Sequence, residues 1–231
     1  MRIAHQPHAL ILAGALSAAG CGGVVGGPAD TDGSLPPLDE SRLDRDMDCL
    51  LGGDECGYPS GGASGYGTDV GERMENFALI DCTGTQREFA ELFQADASGG
   101  RNRAVVFSLG AGWCEPCKEE TAELMPEVYE PLHEQGLEIV QVLFQDEDGQ
   151  FPPSSFCRTW KDELYDPPLA FPVLLDQTQD WSSDWLLDPQ SATPVSMLID
   201  ANGNIRWKVE GQNPPDTYEQ SLIVLNEPYG D

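Results

Sequence analysis

The chain has 231 residues, 40% of them apolar, which supplies one core of ordinary size with a tail to spare. Its 40 acidic side chains outnumber 12 basic ones, and the resulting formal charge of -28 argues against nucleic acid or an anionic membrane face as a partner. Such a charge suits a highly solvated surface and would attract a basic partner protein.

Residues 1–20 read as a targeting segment: Arg2 near the start, an apolar run from Ala9 to Ala19, and small residues up to Cys21. The run is shorter than the roughly 20 residues that a bilayer span requires. It resembles a bacterial lipoprotein signal, in which Cys21 becomes the lipidated first residue of a membrane-anchored, extracytoplasmic chain. Ala18 stands where that pattern usually has Leu, and an ordinary secretory signal cleaved nearby is the other reading. Residues 21–71 are rich in Gly, Pro, Asp and Ser and cannot bury enough surface to offset ordering entropy, so they read as a disordered tether. An island interrupts it from Asp39 to Cys56, with Leu43, Met47, Leu50 and Leu51 at weakly helical spacing. Cys49 and Cys56 are placed there to close a local loop.

From residue 72 to 231 the alternation of element types predicts one α/β domain. A hairpin is expected near Phe77 to Arg87, a short helix near Glu88 to Ala95 and a buried strand from Ala104 to Leu109. A helix follows the strand to about Gln135, stopped by Gly136, and a second strand runs from Leu137 to Phe144. Asp146 to Pro153 reads as an acidic turn, with Ser154 capping a helix that carries Phe156, Trp160 and Leu164. Phe171 to Leu175 is a short strand. Val195 to Asp200 and Ile205 to Val209, joined through Asn202-Gly203, form a hairpin, and a last helix spans about Pro215 to Leu225.

The chemistry concentrates at Trp113-Cys114-Glu115-Pro116-Cys117, where an apolar strand delivers two cysteines onto the first turn of a helix. Cys114, at the helix N-terminus, has its thiolate favoured by free backbone N–H groups and the helix dipole, and is the attacking nucleophile. Cys117, inside the first turn, resolves the mixed disulfide. Pro116 suits an early helical position because its missing N–H has no partner there anyway. The negative charge of Glu115 opposes thiolate formation and pushes the pair towards a reductant. Seven cysteines less Cys21 leave six, an even number that suits an oxidising compartment. The preferred pairing among the 15 that six cysteines allow is Cys114 with Cys117, Cys49 with Cys56 and Cys82 with Cys157.

Trp113-Cys114-Glu115-Pro116-Cys117-Lys118 with Glu120 resembles the thioredoxin-like proteins of the TlpA/ResA family, membrane-tethered extracytoplasmic thiol-disulfide oxidoreductases that reduce partner proteins, apocytochrome c among them. The resemblance runs from about Glu75 to Glu227. Its opening, Asn76-Phe77-Ala78-Leu79-Ile80-Asp81, is similar to that family's N-terminal hairpin, and Thr193-Pro194 ahead of Val195 to Asp200 looks like its cis-proline loop. The resemblance implies a thioredoxin fold, a central mixed sheet flanked by helices. It also implies a cis Pro194 facing the sulfurs, a Thr193 backbone that pairs with a bound peptide, and a Glu120 that exchanges protons with Cys117. Trp113, Glu115 and Pro116 complete the candidate substrate-binding surface. The chain departs from the pattern at Ser108, where thioredoxins carry a buried Asp, and at Ala122, where the family usually has Pro. Here the prolines come later, at Pro126 and Pro131, so a kink or break is expected further along the helix. The Trp- and Asp-rich stretch from Trp181 to Ala192 departs as well.

Other chemistries fit less well. Zinc would want a second close Cys or His pair, and His133 is the only histidine beyond the signal segment. Asp200 to Asn204 reads as a hairpin turn rather than a calcium loop. A peroxidase would need Thr or Ser ahead of the first cysteine, where Gly110, Ala111 and Gly112 stand. No cofactor and no resident metal are expected, and the domain is expected to be a monomer. The alternatives left open are a Cu(I)-binding chaperone using the same sulfurs and a redox-idle interaction module.

Overall fold

In the computed structural model, which describes residues 35–43, 66–94, 101–185 and 192–230, seven strands form one mixed sheet. They are β1 (Ala78–Asp81), β2 (Gln86–Glu88), β3 (Ala104–Gly110), β4 (Leu137–Leu143), β5 (Val173–Leu175), β6 (Val195–Asp200) and β7 (Ile205–Glu210), in the order β2-β1-β5-β4-β3-β6-β7. The β3, β4 and β5 strands run parallel, and the other pairings are antiparallel. Strands buried on both faces read as continuous apolar runs, and every residue of β3 and β6 is buried.

Side chains alternate across the sheet. Val105, Phe107 and Leu109 of β3 face Met74, Phe89 and Trp181 in one core cluster, while Ala104 and Val106 face Leu124, Val128, Leu132 and Leu225 in the other. The second face carries the helices α1 (Glu115–Leu124), α2 (Glu130–Leu132), α3 (Ser154–Arg158) and α5 (Pro214–Asn226). The thioredoxin-like α/β architecture is therefore present, with the hairpin β1-β2 extending the sheet on the β5 side.

The helical run after β3 continues to Gln135, but it is not uniform. Pro126 has no N–H to donate to the carbonyl four residues back, and a π-turn over Met125–Tyr129 takes up the mismatch, closed by the Glu130 N–H on the Met125 carbonyl. The run widens there and then resumes as α2 and a 3-10 turn, His133–Gln135. Gly136 ends it at φ 96°, a left-handed conformation suited to glycine.

Three details differ from expectation. Ser154 is the first residue of α3 rather than its cap: Pro153 holds the cap position, makes no side-chain bond there, and accepts the Cys157 N–H on its carbonyl. Residues 89–93 form a 3-10 helix, held by reciprocal bonds between the Glu88 and Glu91 side chains and backbone N–H groups. The stretch after β5 contains a further short helix, α4 (Asp180–Trp185), and the Trp181 ring lies within the core, 4.5 Å from that of Phe77.

Part of the stretch read as tether is packed on the domain. Arg103 donates from Nη1 to the Pro36 carbonyl and from Nε to the Leu225 carbonyl. Glu40 pairs with Arg101 at 3.3 Å, Arg42 stacks over the Tyr229 ring, and Asn202 donates to the Arg42 carbonyl. A composition-based reading is blind to these partners, which lie 61 residues or more further along the chain. The segment sits where β3 begins and β6 ends; the register pairs Ala104 with Asp200 there and Leu109 with Val195 at the other end. The 1–20 signal, Cys21, Cys49 and Cys56 lie outside the described residues.

Candidate active site

The β3 strand ends at Gly110, and Ala111-Gly112-Trp113 turns the chain so that Cys114 becomes the N-cap of α1. The cysteines form a disulfide, S–S 2.01 Å with Cα atoms 5.3 Å apart. The Cys117 N–H points at Cys114 Sγ from 3.2 Å, the kind of backbone donor that stabilises a thiolate at a helix N-terminus. Both residues are nearly sealed, Cys114 at 3% exposure and Cys117 at 1%.

Thr193-Pro194 closes over the same sulfur. Its peptide bond is cis. Cys114 Sγ lies 3.7 Å from the Thr193 carbonyl oxygen and 3.4 Å from its hydroxyl, which donates to it. Trp113 is half exposed beside the motif, anchored by Nε1 donating to Gln145 Oε1 at 2.7 Å and by edge-to-face packing on Phe144. Pro116 is exposed in the first turn. Glu115 points outward, its side chain 73% exposed and 3.4 Å from Lys118 Nζ. Solvent and that lysine both weaken its field at the sulfurs.

The two glycines on the approach to the cysteines are closely packed. A methyl group on Gly112 would lie 2.6 Å from the backbone of Asp146 and Glu147 and from the Phe156 ring; one on Gly110 would lie 3.0 Å from Cys117 Cβ.

Beneath the disulfide lies a buried polar cluster. Glu120 is fully buried on α1. Its Oε2 accepts from the Ser108 hydroxyl at 3.0 Å, and its Oε1 accepts from the Ser196 hydroxyl and the Asn213 N–H, each at 3.4 Å. Burial pushes its pKa up to about 7, against the opposing pull of those hydrogen bonds, with Glu123 adding a small upward push. The single hydroxyl proton of Thr121 is shared between the Cys117 carbonyl at 2.7 Å and Gln141 Oε1 at 2.8 Å, and Gln141 Nε2 donates to the Ser108 carbonyl. Ser108 is thus a polar contact of Glu120 in the place where a second carboxylate was absent.

Thr121, Gln141, Gln145, Ser196 and Asn213 were not among the sequence candidates. The signal for two of them was there: Gln141 and Ser196 are uncharged polar residues within largely apolar strands, Gln141 on the same face as Leu137, Ile139 and Leu143 and Ser196 on the same face as Leu198.

Cys82 and Cys157 form the other disulfide among the described residues, S–S 1.97 Å. It joins the end of β1 to α3 against the Val173 carbonyl, where β5 begins. His133 stacks on Tyr129 and approaches the Leu137 carbonyl, apart from the cysteines. Asp200 accepts N–H bonds from Asn202 and Asn204 and closes the β6-β7 turn.

The family model described as AhpC/TSA matches residues 70–208, more than half of the chain. No curated protein matches it. Among solved structures, the chain is similar to a protein from Chlorobium tepidum described as the thiol:disulfide interchange protein DsbE, at 21% identity and TM-score 0.50, covering 68% of this chain and 98% of that one. It is also similar to a secreted thiol-disulfide isomerase from Corynebacterium glutamicum, at 16% identity and TM-score 0.54, covering 71% and 93%. A third is peroxidoxin BcpB from Mycobacterium tuberculosis, at 15% identity and TM-score 0.51, covering 69% and 97%. At these identities the structures share the fold.

Proposed function

The chain belongs to the AhpC/TSA family and is a thioredoxin-like oxidoreductase; from that premise we propose that it reduces disulfides in partner proteins outside the cytoplasm, by dithiol exchange through Cys114 and Cys117. The observation that carries this reading is a disulfide at a helix N-terminus, lying against the Thr193-Pro194 loop and above a buried carboxylate.

In the proposed cycle the Cys114 thiolate attacks one sulfur of the partner's disulfide, and the partner's other sulfur leaves as a thiolate that takes up a proton. Glu120 accepts the Cys117 proton. Cys117 then attacks Cys114 Sγ, breaking the mixed disulfide and releasing the partner's second sulfur, which is protonated in turn. The partner gains two electrons and two protons, and the protein is left with the Cys114–Cys117 disulfide for an upstream reductant to reopen. Trp113, Glu115 and Pro116 border the partner's docking surface, and the backbone of Thr193 beside Pro194 pairs with its peptide.

The TlpA/ResA resemblance supports the finer assignments: residues 1–20 a lipoprotein signal, Cys21 a lipid anchor, residues 21–71 a tether except where 35–43 packs on the domain, and residues 72–231 the domain. The partners in that reading are extracytoplasmic proteins with exposed cysteines, apocytochrome c among them, met by a monomer.

The test is the reduction potential of the chain from residue 22 onward, so that the packed segment 35–43 is kept, equilibrated against glutathione and dithiothreitol with Cys114→Ser as control. A value near -270 mV or lower, the range of thioredoxin, absent from the control, supports a reductase. A value near -120 mV, like DsbA, would reverse the direction of exchange, and no reversible couple at all would end the oxidoreductase reading.

A further inference from the structure

Glu120 is held by two hydroxyls rather than by a charge. Ser108 and Ser196 are direct partners in the antiparallel register of β3 and β6, and they reach different oxygens of the one carboxylate, Ser108 to Oε2 and Ser196 to Oε1. Gln141 is the partner of Ser108 on the other side, in β4, but its amide is occupied by Thr121 and by the Ser108 carbonyl. The third contact is the Asn213 N–H, again on Oε1.

We propose that Ser108 and Ser196 are positioning residues: a hydroxyl clamp that holds Glu120 in one place through both of its protonation states, so that it can exchange a proton with Cys117 reversibly. The proposal rests on the role given to Glu120 above.

The chemistry of the donors carries it. A serine hydroxyl can rotate, donating to a carboxylate or accepting from a carboxylic acid, whereas a backbone N–H only donates. The fixed Asn213 N–H therefore marks Oε1 as the oxygen that stays an acceptor. Oε2, beside Ser108, is the oxygen that takes the proton, and Ser108 then reverses from donor to acceptor. Neither state leaves a buried polar atom of the carboxyl group unpaired. A second carboxylate at position 108 would instead set like charges against each other when both ionised. The groups facing Glu120 from the packed elements are the two serines from β3 and β6 and the amide ahead of α5; the charged group acting on it is Glu123, on its own helix. Once reduced, Cys117, one turn back on α1, is the other titrating neighbour.

The carboxyl titration of Glu120 tests the clamp directly. The protonated C=O stretch, identified by subtracting the Glu120→Gln spectrum, is followed against pH by infrared spectroscopy in wild type, Ser108→Ala, Ser196→Ala and Ser108→Thr. Hydrogen bonds to an ionised group are worth more than those to its neutral form, so losing one hydroxyl moves the midpoint up by about one pH unit. Ser108→Thr, which keeps the hydroxyl, holds the wild-type midpoint. A second readout is the reaction of the reduced protein with 5,5′-dithiobis(2-nitrobenzoate): the pH profile of the intramolecular step that releases the second thionitrobenzoate moves with the carboxyl midpoint. Carboxyl midpoints unchanged in both alanine variants would overturn the clamp. A shifted midpoint with an unshifted rate profile would overturn the proton-carrier role beneath it and leave the geometry of the clamp standing.

Discussion

Replacing Glu120 by Gln removes a titration while keeping the shape of the side chain, and its consequence for stability is calculable. The carboxyl group titrates near 4.5 when solvated and at about 7 in the fold. The folded state therefore binds this proton more tightly than the unfolded state does, and the stability that results is fully present below pH 4.5 and is lost as pH rises through 7. Between pH 5 and pH 8 the wild-type protein should lose about 2.5 kcal/mol from this one group. Glu120→Gln has nothing to titrate: its amide oxygen takes the Asn213 and Ser196 side, and its NH2 meets a Ser108 hydroxyl turned to accept. Urea denaturation of both oxidised proteins at pH 5, 6, 7 and 8 gives the difference curve. The variant should gain on the wild type steadily across that window and level off above it. Parallel curves, with a constant offset, would mean that Glu120 ionises like a solvated carboxylate and would refute the reasoning.

Three further outcomes follow from packing and covalent geometry. Gly112→Ala should lower stability by about 1–3 kcal/mol, the usual cost of overpacking, because the new methyl meets backbone on one side and the Phe156 ring on the other; a thermal melt unchanged from wild type would contradict it. The double variant Cys82→Ala, Cys157→Ala removes a cross-link spanning 75 residues and should cost up to about 4.5 kcal/mol by the loop-entropy relation, read by urea denaturation at fixed pH, with the Cys114–Cys117 couple still present. Arg103→Ala should release residues 35–43 by removing the bonds to Pro36 and Leu225, seen as faster amide exchange confined to that segment and to the end of α5; unchanged exchange there would show that the arginine does not hold it.

The fold was legible because its signals are local. The apolar run of β3 followed by a polar helix-forming stretch, the Asn202-Gly203 hairpin and the stop at Gly136 each depend on a few adjacent residues. The cysteine pair could be placed at a helix N-terminus for the same reason. The cradle of Glu120 was not legible, because it depends on register: Ser108 meets Glu120 across 12 residues, but Ser196 meets it across 76 and Asn213 across 93. Sequence alternation can mark Ser196 as inward, yet it cannot say which helix residue waits there. The packed segment at 35–43 failed for a related reason. Its composition is that of a solvated chain, and what holds it is arginine, asparagine and tyrosine side chains contributed by distant elements. Pro126 was readable as a disturbance of the helix but not as a π-turn, since the choice between breaking and widening is made by packing: Met125, Val128 and Tyr129 all remain buried against the sheet.

The glutamate inside the motif and the one three residues after it divide the electrostatic work differently from the sequence reading, in which Glu115 set the direction of exchange. Glu115 is exposed and faces Lys118, so water and a neighbouring cation dilute its effect on the sulfurs. Glu120 is sealed in a low-dielectric cluster, where an ionised carboxylate acts strongly on whatever is near it. Its negative charge, one helical turn from Cys117, opposes a thiolate at that position, while the N–H groups at the start of α1 favour a thiolate on Cys114. In the proposed cycle the two sulfurs are therefore unequal: the N–H groups of α1 favour attack by the one that meets the partner, and Glu120 serves as the base for the one beneath it. The same charge disfavours the dithiolate form of the motif, so the pull towards disulfide that the sequence assigned to Glu115 falls on the buried glutamate, and it strengthens as pH rises through 7.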